Sequence, residues 1–191
     1  MNVISNNCAG SYFMTNGTEK LGNPFSWAFV TYSSMDAILT HFYDINWSNI
    51  SINESTRWKS TYFITVDNLF DIHYIHYHFN PENQVPVIHG YDISSCDIWE
   101  YIVSKYITRV KRMVRIHDIP KFLIVEDNSS GTREEYLDLY NRHADSPFKI
   151  CWCAYDETNA SYRPNLVKIG QKKLPNQIVD KYYSKIADCF I

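Results

Sequence analysis

The cysteine at position 8, in the run Ser5-Asn6-Asn7-Cys8-Ala9-Gly10, is the first residue whose type and setting suggest chemistry. The apolar residues before it read as a first central strand, and Ala9 to Asn16 fits one or two helical turns stopped by Gly17. A thiol at that junction would see the positive end of the helix dipole, which favours thiolate. It should then be partly accessible and react with thiol reagents well before Cys151 and Cys153. Asn6 and Asn7 are turn formers able to offer hydrogen bonds to a ligand or a developing oxyanion. The same cysteine also reads as a small residue packed beneath the sheet.

Three further groups could act with it. The run Asp71 to Phe79 holds His73, His76 and His78. Strand alternation puts His76 and His78 on the face of Ile72 and Tyr74, and His73 on the face of Ile75, Tyr77 and Phe79. A single histidine, His76, serving Cys8 as general base is favoured over zinc, since no nearby ligand completes a metal site. Strand histidines are also ordinary hydrogen-bonded residues. Glu126-Asp127 follows the apolar run Lys121–Val125, so a parallel strand would bring both carboxylates to the rim that carries Cys8. There Asp127 could orient a histidine, bind a sugar hydroxyl or hold a cation on a diphosphate, or simply form the turn before the next helix. Lys105, Arg109 and Arg112 recur at near-helical spacing and suit phosphates or those carboxylates, or form a solvated basic face.

The elements that must position these residues follow from pattern. Ser33 to Tyr43 reads as a helix with Ser33 and Asp36 as its capping box. Tyr62–Val66 and Leu69–Phe79 read as a hairpin turning at Asp67-Asn68. A short strand fits Ile50–Ile52, and Pro81–Gly90 reads as a loop. The longest helix spans Cys96–Val114, with Ile98, Ile102, Tyr106, Val110 and Met113 on its apolar face. Lys121–Glu126 and Phe148–Ala154 have the unbroken apolar character of strands buried on both faces. A helix over Thr132–Arg142 begins with a Thr132/Glu135 box, Leu166–Gly170 suits an edge strand, and Leu174–Ala187 a closing helix. The expected fold is α/β, one domain over residues 1–191. It is a three-layer sandwich on a mixed, largely parallel sheet, with the strands of Val3, Phe122 and Ile150 together at its centre.

Composition narrows the classes. The 191 residues suit one domain with a substantial core. A net charge of −3 argues against a general nucleic-acid binder. Aromatics at 16% suit a surface that stacks on sugars, or an aromatic core. No apolar run approaches the roughly 18 residues of a membrane helix, and no secretory signal is expected. Five scattered cysteines then read as reduced thiols in a cytoplasmic setting. Alternation turns Cys151 and Cys153 to one face as small core residues.

Taken together, these segments resemble a known family. Val3-Ile4-Ser5-Asn6-Asn7-Cys8 is similar to the opening of a bacterial family associated with exopolysaccharide biosynthesis. Asn23-Pro24-Phe25-Ser26-Trp27 resembles a Pro-Phe segment of that family. It also resembles the Pro-Phe-Asp-Trp segment of a related papain-like cysteine peptidase group, with Ser26 in place of the aspartate. Ile72–Tyr77 resembles the first family's strand ending in His-Tyr, and Arg109 and Arg112 resemble paired arginines ahead of a strand like Phe122–Val125. The likeness runs from about Val3 to Ala154 in one order. It implies a compact α/β domain encoded among surface-polysaccharide genes, with Cys8 and His76 as its distinctive polar positions.

The leading expectation is an enzyme of surface-polysaccharide biosynthesis or modification, a transferase acting on a sugar or an activated sugar. Cys8, His76 and Asp127 would be catalytic, and Asn6, Asn7, Trp27, Tyr77, Arg109 and Arg112 would bind substrate. No metal or resident cofactor is expected, and a nucleotide-sugar could be the donor. The alternative is a papain-like thiol hydrolase or acyltransferase, with Cys8 attacking a carbonyl, His76 as base and Asn7 or a backbone amide holding the oxyanion. The third reading is a non-catalytic carbohydrate- or partner-binding domain that stacks ligands on Trp27, Tyr77 and Trp99.

Overall fold

A computed structural model describes residues 3–16, 22–55, 61–79, 86–88, 91–92, 98–115, 119–155, 165–170 and 174–191. The side chains of 15–16, 75–79, 86–88, 91–92 and 98–99 are outside that description.

Four strands form a parallel sheet in the order β1 (Val3–Ser5), β7 (Lys121–Val125), β8 (Lys149–Ala154), β9 (Leu166–Lys168). Alternation along these apolar runs fills two separate cores. Val3, Leu123, Val125, Cys151 and Cys153 pack under α1 (Ala9–Asn16) and α5 (Pro175–Asp188), with Phe13, Ile178, Val179 and Ile186. Ile4, Phe122, Ile124, Ile150 and Trp152 face the other way, with residues of α2 (Tyr32–His41), α3 (Ile98–Met113) and α4 (Arg133–His143). The fold is thus α/β, with helices on both faces of the parallel sheet.

A second sheet is antiparallel, in the order β2 (Ile50–Glu54), β3 (Thr61–Val66), β4 (Phe70–Phe79), β5 (Pro86–Ile88), β6 (Tyr91–Asp92). Its hairpin turns at Asp67 and Asn68, both left-handed at φ 53° and 55°, the type I′ geometry that suits the twist of paired strands. Pro86–Ile88, expected to be loop, is a strand instead. Its backbone pairs with Tyr77–Phe79, and the proline stands at its first residue, where a missing N–H is tolerated.

The segment at residues 28–30 stitches the two sheets together. Phe29 exchanges both backbone hydrogen bonds with His73 of β4, at 2.8 Å each, and Val30 N–H donates to Asn6 C=O at 3.0 Å. The strands of Val3, Phe122 and Ile150 are neighbours as expected. However, β1 ends the parallel ladder rather than lying at its centre, and the stitch meets the chain at Asn6, just beyond that strand.

Capping matches the pattern at one helix and departs from it at another. Thr132 and Glu135 form the reciprocal box that starts α4. In α2 the N-cap is Thr31, whose Oγ1 accepts from Ser34 N–H, so the Ser33/Asp36 box does not form. Asp36 is used otherwise. It accepts from His143 Nε2 at 2.6 Å and pairs with Arg142, fastening α2 to α4.

Candidate functional site at the carboxyl rim of the parallel sheet

Because β1, β7 and β8 run parallel, their carboxyl ends deliver Asn6–Cys8, Glu126–Asp127 and Tyr155 to one rim. The rim of such a sheet is where ligands bind in open α/β folds.

Asn6 continues the ladder with its side chain. Its Nδ2 donates to Val125 C=O at 2.8 Å, and its Oδ1 accepts from Val125 N–H at 2.9 Å. Asn6 is therefore a buried structural amide, not an exposed substrate contact. Asn7 faces both ways along the turn. Its Oδ1 accepts from Ala9 N–H at 2.9 Å, starting α1, and its Nδ2 donates to Asp127 Oδ2 at 2.8 Å. Gly10 lets α1 lie close on β1, since a Cβ there would stand 2.6 Å from Ser5 Cβ.

Asp127 is the best-held polar group of the rim. Besides Asn7, its Oδ1 accepts from Ser129 N–H at 2.9 Å and from Ser129 Oγ at 2.5 Å. Tyr32 anchors the backbone beneath it. Asp127 N–H donates to Tyr32 Oη at 2.7 Å, and Tyr32 Oη donates to Val125 C=O at 3.1 Å. Burial pushes the Tyr32 phenol far up, so it stays neutral. No sequence signal marked Tyr32; only the return of α2 to the end of β7 reveals its role. Glu126, expected beside Asp127, is buried. It accepts from Tyr155 N–H at 2.9 Å, with Arg133 Nε 3.6 Å away. Tyr155 itself, half-buried next to both carboxylates, has its phenol raised to about 12 by desolvation and then by Asp127 and Glu126.

Cys8 is at this rim but not in the expected state. It is buried, with only 6% of its surface exposed. Desolvation, reinforced by the negative charge of Asp127, raises its thiol to about 12. The expected helix-dipole effect is outweighed, because burial next to a carboxylate disfavours a second anion more than one short helix favours it. The accessible, activated thiolate is therefore corrected to a neutral, buried thiol.

The side chains of His76 and Tyr77, the expected base and stacking residue, lie outside the described residues, as does that of Trp99. The strand register also shifts at this point, with Tyr62 opposite Tyr74 but Thr61 opposite His78. His73 is buried, and its ring lies 5.0 Å from that of Phe63.

Trp27 packs against the first turn of α1 at Ser11 and Tyr12. It is a bulky residue at φ 61°, a conformation that L side chains adopt only when the surroundings hold it. Both sides of the Ser26–Trp27 peptide are held. Trp27 N–H donates to Ser11 Oγ at 2.8 Å, and Arg109 Nη1 donates to Ser26 C=O at 3.1 Å. The indole meets the Tyr12 ring edge-on at 5.0 Å. The preceding turn is built by Asn23, whose Oδ1 accepts from Phe25 N–H and whose Nδ2 donates to Val3 C=O.

Among the described residues, Arg109 and Arg112 make no ion pair with the rim carboxylates Glu126 and Asp127. They line a separate cleft of about 330 Å³ with Gly22, Ser104, Lys105 and Thr108. Among the described residues, no group of three or more His, Cys, Asp or Glu is placed to hold a metal ion. Among them, too, no helix is long and apolar enough to cross a membrane. Comparison with protein-family models and with curated proteins finds no match for the chain.

Proposed function

We propose that this chain is a cytoplasmic enzyme of surface-polysaccharide assembly, a transferase that acts on a sugar or a nucleotide-activated sugar at the carboxyl rim of its parallel sheet. One observation carries the reading. Asp127 presents a carboxylate whose direction is set by Asn7 and Ser129 and whose backbone is set by Tyr32. A carboxylate held in this way can accept a proton from an attacking sugar hydroxyl or bind it during transfer. The Tyr12–Trp27 pair adds an aromatic surface of the kind that stacks on sugar rings. The likeness of Val3–Cys8 to the exopolysaccharide-associated family supports the substrate class.

The thiol-hydrolase reading has less support, because nucleophilic attack needs an exposed thiolate and Cys8 is buried and neutral. The test is turnover of a panel of nucleotide-diphosphate sugars, read as release of the nucleoside diphosphate. Asp127→Asn should lower kcat by about 10²- to 10⁴-fold, the usual contribution of an acid–base group, and Cys8→Ala should keep most of the rate. An esterase or peptidase activity lost with Cys8→Ala and kept in Asp127→Asn would replace this proposal with the thiol mechanism. Saturable sugar binding with no turnover would replace it with a binding module.

A further inference from the structure

The cleft beside α3 is separate from the rim site. Lys105, Arg109 and Arg112 are spaced i, i+4 and i+7 and line it together with Gly22, Ser104 and Thr108. Like charges at i, i+4 destabilise a helix, and no described carboxylate offsets them here. The ion pairs of the described residues involve Arg133, Arg142 and His143 instead. Arg109 is fixed in place by Ser26 C=O. Gly22 leaves it room, since a Cβ there would stand 3.4 Å from Arg109 Nε and 2.9 Å from Ser26 Oγ. Lys105 lies over the Tyr101 ring at 5.2 Å, and the Arg112 side chain makes no ion pair among the described residues.

From this geometry we infer that the cleft is a binding site for a phosphate or diphosphate group. Two guanidinium forks and an ammonium supply charge-assisted donors matched to phosphate oxygens, and Ser104 and Thr108 add neutral donors. A volume of about 330 Å³ is at the lower end of small-ligand pockets, so it suits the phosphates and leaves the rest of a larger ligand outside. Bound phosphate would also relieve the repulsion along α3.

The test is calorimetric titration of the whole chain with inorganic pyrophosphate and, separately, with uridine diphosphate. Saturable binding is expected, weakened at least tenfold by Arg112→Gln with Lys105→Gln, at an unchanged or raised Tm. Lys111→Gln, which removes a cation facing a neighbouring groove, should leave the affinity unchanged. Tighter binding of uridine diphosphate would identify a nucleotide-linked phosphate. Equal affinities would identify the phosphates alone. Either supports the site. Absence of saturable binding to both probes, or an equal loss in Lys111→Gln, would overturn it. The readout needs no turnover, so failure of the rim transferase reading would leave this result intact.

Discussion

Asn7 and Asp127, 120 positions apart in sequence, meet through a 2.8 Å hydrogen bond across the ends of two adjacent parallel strands. Asn7 also starts α1, so one side chain couples the helix start to the rim carboxylate. Asn7→Ala should cost about 1–3 kcal/mol, from one lost cap and one lost charge-assisted bond. A double-mutant cycle with Asp127→Ala should give a coupling above about 0.5 kcal/mol, as contacting residues do. Additive effects in denaturant unfolding would show that the bond is not made in solution.

The thiols should not react in the order expected from the sequence, which put Cys8 ahead of Cys151 and Cys153. Cys189 is only partly buried, and a hydrogen bond from Cys151 lowers its thiol from the ordinary value. Among the four described cysteines it should alkylate first. Cys8, Cys151 and Cys153 should resist until the protein unfolds, because burial raises Cys8 and Cys151 is raised by its bonds to Cys153 and Cys189 and by burial. Peptide mapping after brief iodoacetamide treatment at pH 8 measures this. Labelling of Cys8 at the rate of Cys189 would contradict the buried site.

Alkaline pH should destabilise the fold through Cys8. Its thiol ionises near 9 when exposed and near 12 when folded, so between these values the unfolded chain has lost a proton that the folded chain keeps. Stability is complete below about 9 and falls as pH rises towards 12, by at most about 4 kcal/mol from this group. Cys8→Ala should make the slope of unfolding free energy between pH 9 and 11 shallower by about one proton. An unchanged slope would show that the thiol is solvated.

Acid should act through Asp36. Partial burial alone would raise its carboxyl, but hydrogen bonds and charge from His143 and Arg142 outweigh this and hold it below the usual value. Its contribution is therefore present above the unfolded value of about 3.9 and is lost as pH falls through the lower folded value. Asp36→Asn should lower stability at pH 6 and make the decline below pH 4 shallower, read by urea midpoints. Parallel pH profiles for the two proteins would argue against the α2–α4 clasp.

Gly10→Ala should cost about 1–3 kcal/mol through overpacking, because the new Cβ would overlap Ser5 Cβ at 2.6 Å. Ser5→Gly in the same chain should restore part of the loss. No recovery would place the strain elsewhere.

Local chemistry was legible in the sequence wherever neighbours along the chain decide it. The Thr132/Glu135 box, the Asp67-Asn68 turn and the two-sided burial of Phe122–Val125 and Ile150–Cys153 all follow from residues a few positions apart. That three apolar strands are neighbours followed from their unbroken apolar runs, and their parallel course brought Cys8 and Asp127 to one rim, but the place of β1 at the end of the ladder rather than at its centre did not. The tertiary structure decided the rest. Thr31 replaced Ser33 as N-cap because the chain turns into α2 two residues earlier than the pattern suggests. Val30 bonds Asn6, and Asn6 itself bonds Val125 in place of a backbone partner. The protonation state of Cys8 could not be read from its position at a helix start. The charge of Asp127 comes from a segment more than a hundred positions away, and desolvation depends on which segments arrive.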